Sequence, residues 1–124
     1  MKITITQNSR DNRSKVVDNA ATMDDYGSYR RMTYAEENGA IVVIDILSDE
    51  ISLKRQDTWL TQGLFHRFDK TEMLVSNEHG TVIFDVNVEE MQIEENLLYI
   101  RYHLSQGNER IDTLEFECRW EPEV

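Results

Sequence analysis

Apolar and polar residues alternate strictly in three runs near the C-terminal end of the chain, at Thr81–Glu89, Asn96–Leu104 and Arg110–Trp120. Successive side chains of a β-strand point to opposite faces, so this period of two predicts three half-buried strands. A helix would need apolar residues three and four positions apart. Between the last two runs, Ser105–Asn108 predicts a hairpin turn in which Gly107 takes positive φ. The pattern therefore predicts adjacent antiparallel strands.

One face of these three strands is almost entirely apolar and is predicted to point into the core. Its members are Val82, Phe84, Val86, Val88, Leu98, Ile100, Tyr102, Leu104, Leu114, Phe116, Cys118 and Trp120. The opposite face is mainly polar. We interpret Cys118, on the apolar face, as a buried structural thiol, because a reactive thiolate needs an accessible and electropositive environment.

The earlier part of the chain contains shorter alternating runs, at Lys2–Gln7, Ser14–Met23, Tyr29–Glu36, Ala40–Leu47, Ile51–Arg55 and Thr71–Val75. Asn38-Gly39 predicts a tight hairpin, because this dipeptide suits the turns that match strand twist. The stretch Gln56–Asp69 is less regular. We predict a strand there with a bulge or bend at Gly63, and a short amphipathic helix over the end of a barrel is the alternative.

These runs predict an all-β protein in which consecutive strands pair. Short turns favour a mostly up-and-down antiparallel order, and a long sheet tends to curl and close, which removes its exposed edges. We therefore predict that residues 1–124 form a single domain, a closed or nearly closed barrel of about eight principal strands. A β-sandwich is the alternative. Pro122 follows the last run, so no strand interior contains proline.

The chain is strongly acidic, with 24 Asp and Glu against 13 Lys and Arg and a formal net charge of −11. This charge disfavours nucleic acid and anionic membrane surfaces, so neither is an expected partner. The N-terminal sequence MKITITQN contains no apolar signal-peptide core, and no apolar run is long enough to span a membrane. Together with the single cysteine, these features predict a cytoplasmic protein.

The order of several short patterns resembles a known family. The patterns are Tyr34-Ala35-Glu36, Ile51–Arg55, Gly80, Val82–Val88, Tyr102-His103-Leu104 and Leu114–Trp120. In their order and spacing, they resemble the YwiB-like family of small bacterial proteins of unknown function. Two departures affect loops: Gln56-Asp57 stands where the family usually has a glycine, and Val75–Glu78 stands where it tends to have Tyr-x-Thr-Pro. The resemblance implies a calycin-like (lipocalin-like) β-barrel and no particular activity.

The motifs of common catalytic and metal sites do not occur in the sequence. There is no P-loop, no GxGxxG, no HExxH and no Gly-x-Ser-x-Gly elbow. His66, His79 and His103 are scattered and lack a cysteine partner at zinc spacing. We therefore predict no catalytic residue, no metal and no cofactor. The acidic pairs Glu36-Glu37, Glu89-Glu90 and Glu94-Glu95 are expected at strand ends and turns, as solvated charge.

Three polar residues share the inward phase of their strands: Tyr34, Glu36 and Arg55. A buried charge is costly unless it is paired, so Glu36 and Arg55 are expected to meet each other or a ligand. One interpretation is a structural ion pair, with a hydrogen bond from Tyr34, that fixes strand register. A second is an anchor for the polar end of a small ligand, and a third is an acid–base site.

The sequence therefore supports three hypotheses of function. The first is a non-enzymatic binding module for a small apolar or amphipathic ligand, with the site residues Tyr34, Glu36, Arg55, Phe84, Ile100, Tyr102, Phe116 and Trp120. The second is a homodimer that acts through its surface and has a filled barrel, with Tyr99, Ile83 and Ile111 exposed on the outside. The third is an enzyme that uses the carboxylate of Glu36.

Overall fold

The computed structural model describes residues 1–121 and consists of eleven β-strands, with no helix in that range. They are β1 (Lys2–Asn8), β2 (Arg13–Asp18), β3 (Thr22–Asp25), β4 (Arg30–Ala35), β5 (Ile41–Ile46), β6 (Glu50–Gln56), β7 (Leu60–His66), β8 (Thr71–Asn77), β9 (Gly80–Ile93), β10 (Leu97–Gln106) and β11 (Glu109–Glu121). Pro122, predicted to follow the last strand, lies outside the described residues. The all-β prediction is confirmed. The predicted count of about eight strands is wrong, because every predicted segment forms a strand and one segment divides in two.

All eleven strands belong to one antiparallel sheet, in the order β2-β1-β11-β10-β9-β8-β7-β6-β5-β4-β3. Except where β1 pairs with β11, neighbouring strands in the sheet are also neighbours along the chain. This is the mostly up-and-down order that short turns favour. The sheet curls into a half-barrel, so that strands distant in the order face one another across a common core.

The predicted strand Ser14–Met23 divides at Asn19–Ala21 into β2 and β3. β2 pairs with β1 at one end of the strand order, and β3 pairs with β4 at the other end. Asp18, the last residue of β2, links the two ends. Its Oδ2 accepts a hydrogen bond of 2.9 Å from the backbone N–H of Ala35, and its Oδ1 accepts one of 2.8 Å from that of Ala20. These donors, Ala35 foremost, stabilise the carboxylate and lower the pKa of Asp18.

The two faces of the sheet separate core from solvent largely as the alternation predicts. The predicted inward residues of β10 and β11 that are buried are Leu98, Ile100, Tyr102, Phe116, Cys118 and Trp120. The thiol of Cys118 lies 3.5 Å from the sulfur of Met32 on β4, so β11 and β4 touch across the interior. Val82 was predicted to point into the core and is instead 42% exposed, because the first residues of β9 extend beyond the covered interior.

Strand β9 continues through Glu89 and Glu90, so the prediction that this acidic pair lies at a strand end is wrong. The register of β9 against β10 shifts at this point, and Glu89 is the additional residue of a β-bulge. The bulge changes the inward phase of the strand, with Val86 buried before it and Met91 buried after it. Alternation in the sequence therefore ends at the bulge, although the strand does not.

The strand predicted within Gln56–Asp69 is present as β7, but it is regular, so the predicted bulge or bend at Gly63 and the alternative short helix are both wrong. Gly63 pairs with Leu53 of β6 and with Met73 of β8 without a register shift. A β-carbon on Gly63 would lie 3.0 Å from Met73 Cε and 3.3 Å from a ring carbon of Phe65. The glycine therefore permits close packing of its neighbours instead of changing the direction of the strand.

The two ends of the half-barrel differ. The sealed end carries the β5–β6, β7–β8 and β9–β10 loops. There Trp120 is buried, and the guanidinium carbon of Arg30 lies 5.5 Å from the centre of its ring. Arg30 also donates hydrogen bonds to the backbone oxygens of Glu95, at 3.1 Å, and Glu94, at 3.2 Å. The other end, called the open end, carries the β1–β2, β4–β5, β6–β7, β8–β9 and β10–β11 turns.

Candidate functional site

A cavity of about 180 Å³ lies inside the half-barrel. It is lined by the apolar side chains of Val42, Ile44, Ile51, Leu53, Phe65, Met73, Ile100 and Phe116, and by the side chains of Gln7, Tyr34, Arg55, Thr61 and Tyr102, which carry polar atoms. Gln7, Tyr34 and Arg55 are the next-to-last residues of β1, β4 and β6, and all three strands finish at the open end. The cavity therefore has an apolar interior and a polar rim toward the open end.

Rows of paired residues across β4–β8 build the first wall of the cavity. In the row at the rim, Tyr34 pairs with Val42, Val42 pairs with Arg55, and Arg55 pairs with Thr61. The next row inward consists of Ile44, Leu53, Gly63 and Met73. Because paired residues point to the same face, each row places its side chains side by side in the interior.

Strands β10, β11 and β1 form the facing wall. Ile100 pairs with Phe116, and Phe116 pairs with Gln7. The ring of Tyr102, on the same face of β10 as Ile100, meets the ring of Phe65 edge-on, with centroids 4.7 Å apart and planes at 63°. This aromatic contact joins the two walls across the interior, and such pairs contribute about 0.5–1.5 kcal/mol beyond their buried area.

Arg55 is held at the rim by two carboxylates. Its Nε donates to Glu36 Oε2 at 2.7 Å, and its Nη1 donates to Asp57 Oδ2 at 2.9 Å. Burial opposes the charged guanidinium, but the two carboxylates outweigh burial and raise the pKa of Arg55. The pKa of Asp57 is lowered, first by the backbone N–H of Trp59, which donates to Oδ1 at 2.7 Å, and then by Arg55. The expected pairing of Glu36 with Arg55 is therefore present.

The phenol of Tyr34 does not take part in this cluster as a hydrogen-bonding group. Within residues 1–121 its hydroxyl forms no hydrogen bond with the protein, and the same holds for the hydroxyl of Tyr102. Burial raises the pKa of both phenols, that of Tyr102 to about 12, so both are neutral. No fully buried side-chain oxygen or nitrogen in the described residues lacks a partner. Both hydroxyls therefore keep contact with open space, and both residues line the cavity.

The structure brings together most of the predicted ligand-site residues. Those that line the cavity are Tyr34, Arg55, Ile100, Tyr102 and Phe116. Glu36 takes part only through its hydrogen bond to Arg55. Phe84 is half-buried and pairs with the lining residue Met73, one strand farther along the sheet. Trp120 lies at the sealed end beneath Arg30, outside the cavity.

Several residues of the site were missing from the sequence-based set. Gln7 continues the inward phase of Ile3 and Ile5. A polar side chain at the last inward position of a strand could therefore have indicated a residue at the rim of the cavity. Thr61 and Phe65 lie in the stretch whose strand phase the sequence left open. Asp57 follows Arg55 by two residues and had no distinguishing signal, because it lies in a turn.

Two further properties of the described residues concern metal binding and membrane-spanning helices. Within residues 1–121, no group of three or more His, Cys, Asp or Glu side chains is arranged to hold a metal ion. In the same range, no helix has the length and apolar composition needed to cross a membrane.

Comparison with known proteins identifies the family. Residues 1–117 match the model of the domain of unknown function DUF1934, and the chain belongs to that family. The fold is similar to the crystal structure of the ywiB protein from Bacillus subtilis, with a TM-score of 0.63 and 9% sequence identity over 98% of this chain and 89% of that chain. At this identity the similarity shows the fold alone. No curated protein matches the sequence. The predicted relationship to the YwiB-like family is thus confirmed.

Proposed function

We propose that this protein is a non-catalytic binding module for one small, neutral, amphipathic molecule, held inside a calycin-like barrel. The observation that carries the proposal is the lining of the cavity. Apolar side chains from both walls surround the interior, and the rim bears Tyr34, Arg55 and Thr61. Ligand sites commonly combine a mainly apolar surface with a few polar groups that orient the ligand.

The size of the cavity limits the size of the ligand. An apolar cavity of about 150 Å³ accommodates benzene, and this cavity measures about 180 Å³. A molecule with one six-membered ring and one polar substituent fits, with the ring in the interior and the substituent at the rim. Long-chain fatty acids and porphyrins exceed this volume.

The unpaired hydroxyls of Tyr34 and Tyr102 support a ligand with a polar group. Both hydroxyls face the open space of the cavity, so a bound ligand can supply the donor or acceptor that the protein does not. We propose no acid–base role for Glu36, because Arg55 occupies one of its oxygens at 2.7 Å.

We also propose that the protein works in the cytoplasm. Cys118 is a free and buried thiol, and burial raises its pKa to about 12. Such a thiol is unreactive, and a single unpaired cysteine suits a reducing compartment.

Substitution of Thr61 by phenylalanine is expected to weaken the binding of benzamide, a neutral probe of suitable size, by at least about tenfold. Thr61 is half-buried at the rim and faces the cavity, so an aromatic ring at this position fills the space that the probe needs. Binding is measured by titration calorimetry, and by chemical-shift changes of cavity residues in heteronuclear NMR spectra.

The matched control is Thr6→Phe on the outer face of β1, which makes the same chemical change away from the cavity. This variant is expected to bind benzamide like the unmodified protein. Equal binding by the Thr61→Phe variant, with the shift changes located elsewhere, contradicts the proposal.

A second candidate function is a homodimer that forms through the outer face of the sheet. Leu74 and Ile83 are paired on neighbouring strands and are 37% and 50% exposed, so they present adjacent apolar side chains to solvent. Ile111 is also exposed. Tyr99, the third residue predicted for such a surface, is half-buried, and its hydroxyl donates to Glu115 Oε2 at 2.7 Å. Leu74 and Ile83 are therefore the centre of this candidate interface.

If the outer face is the interface, light scattering is expected to give the mass of two chains for the unmodified protein. The Ile83→Lys variant is expected to have the mass of a single chain. A charge at the centre of an apolar contact is desolvated without a partner, which opposes association. Val17→Lys, at a 45% exposed position on β2 at the edge of the sheet, is the control and is expected to retain the dimer. A mass of one chain for the unmodified protein excludes this candidate.

A further inference from the structure

We propose that Glu36 and Asp57 determine the ligand class of the cavity, and that they exclude anions in favour of neutral molecules with a hydrogen-bond acceptor. This inference rests on the proposed ligand-binding function. An arginine at the rim of an apolar cavity would ordinarily suggest a carboxylate or phosphate ligand. The surroundings of Arg55 lead to the opposite conclusion.

Two carboxylates already compensate the single positive charge of Arg55. Glu36 accepts from Nε at 2.7 Å and Asp57 accepts from Nη1 at 2.9 Å, so the three side chains together carry a net charge of −1. Glu36 and Arg55 are half-buried, with side-chain exposures of 16% and 29%, whereas Asp57 belongs to the exposed β6–β7 turn and its side chain is 25% exposed. An anion at the rim would therefore meet two like charges, and solvent screening is reduced at the half-buried Glu36.

A neutral acceptor meets no such repulsion and finds donors in place. Within residues 1–121, Nη2 of Arg55 forms no hydrogen bond, whereas Nε and Nη1 are both occupied. The hydroxyl of Tyr34 is also unpaired, and Gln7 and Thr61 add neutral polar groups to the same rim. A carbonyl or amide oxygen can accept from Arg55 Nη2 or from Tyr34 without displacing either carboxylate.

The net charge of −1 attracts a cation, but the guanidinium of Arg55, which is bonded to both carboxylates, opposes its approach. A carboxylate that bonds Arg55 has fewer lone pairs left for a ligand, and a cation that approaches it also approaches the guanidinium. Specificity then follows from unfavourable contacts with charged competitors as much as from favourable contacts with the ligand.

The test uses three molecules of nearly the same shape: benzamide, which is neutral, benzoate, which is an anion, and benzamidine, which is a cation. Their dissociation constants are measured by calorimetry at neutral pH, on the full chain. Benzamide is expected to bind about tenfold more tightly than benzoate and more tightly than benzamidine. Asp57→Asn and Glu36→Gln keep the size of the side chain and remove one negative charge, although each replaces one accepting oxygen with a donating NH2 group. Each is expected to reduce the preference for benzamide over benzoate by about threefold.

Asp49→Asn is the matched control, because Asp49 pairs with Arg67 at 2.9 Å at the sealed end and lies away from the cavity. It is expected to leave the benzamide-to-benzoate ratio unchanged. The ratio compares two ligands on one sample, so a change in the stability of a variant affects both measurements alike. Far-ultraviolet circular dichroism confirms that each variant is folded.

The outcomes separate this inference from the proposed function. Equal binding of benzamide and benzoate, tightest binding of benzamidine, or an unchanged ratio in both carboxylate variants overturns the inference and leaves the binding function standing. Failure of all three molecules to bind the unmodified protein overturns the proposed function for ligands of this size and the inference with it.

Discussion

Replacement of Phe65 by alanine is expected to lower the free energy of unfolding by about 3–5 kcal/mol. Phe65 is 2% exposed, lines the cavity and packs edge-on against Tyr102, with ring centroids 4.7 Å apart. Its removal enlarges an existing cavity and separates the two walls, so the lost transfer energy and the lost contacts add. The variant is also expected to accept larger aromatic probes than benzamide, because the ring no longer occupies the interior.

Urea unfolding followed by circular dichroism measures the change in stability. Phe68→Ala is the control, because Phe68 lies three residues away on the β7–β8 loop and is 76% exposed. Surface substitutions of this kind usually change stability by less than about 0.5 kcal/mol. Core truncations of this kind usually have a large cost. If Phe65→Ala lowers the free energy of unfolding by less than about 1 kcal/mol, the two walls do not meet at this ring.

Replacement of Trp120 by alanine is expected to lower the free energy of unfolding by a similar amount, about 3–5 kcal/mol. The preference for benzamide over benzoate is expected to stay the same. Trp120 is 7% exposed and seals the end of the half-barrel opposite the polar rim. The guanidinium of Arg30 covers its ring at 5.5 Å and is itself fixed by the backbone oxygens of Glu94 and Glu95. The substitution opens the sealed end and frees Arg30, whereas the lining of the cavity stays intact.

The controls separate sealing from binding. Trp59→Ala removes the other tryptophan, which is 44% exposed on the β6–β7 turn, and is expected to change stability little. Trp120→Phe keeps an aromatic ring under Arg30 and provides a folded variant if the alanine protein is too unstable to titrate. Loss of benzamide binding in the folded Trp120→Phe protein would place Trp120 in the binding site, as the sequence first suggested.

Much of the architecture could be predicted because it depends on local pattern. Strict alternation in β10 and β11 predicted both the strands and the buried face, including Leu98, Ile100 and Phe116. The pairing of Glu36 with Arg55 could also be predicted, since two opposite charges share the inward phase and an unpaired charge in the interior is costly. These inferences need only the order of residues and the geometry of a strand.

The errors concern features that depend on neighbouring strands. The bulge at Glu89 shifts the register against β10, and alternation within one strand carries no information about its partner. A glycine within a strand often marks a bend, yet Gly63 pairs regularly with its neighbours. It is a glycine because Met73 and Phe65 occupy the space that a side chain would fill. The division of Ser14–Met23 arises because β2 and β3 pair with different strands.

The sequence alone determined that the chain forms antiparallel strands, which faces they bury, and that a carboxylate, a guanidinium and a phenol belong to the inner side. Only the tertiary structure decided that an interior space of about 180 Å³ remains, that Tyr34 and Arg55 border it, and that Trp120 lies at the other end. The physical reason is that alternation is a local property of one strand. The volume left between two walls depends on side chains from strands that are far apart in the chain.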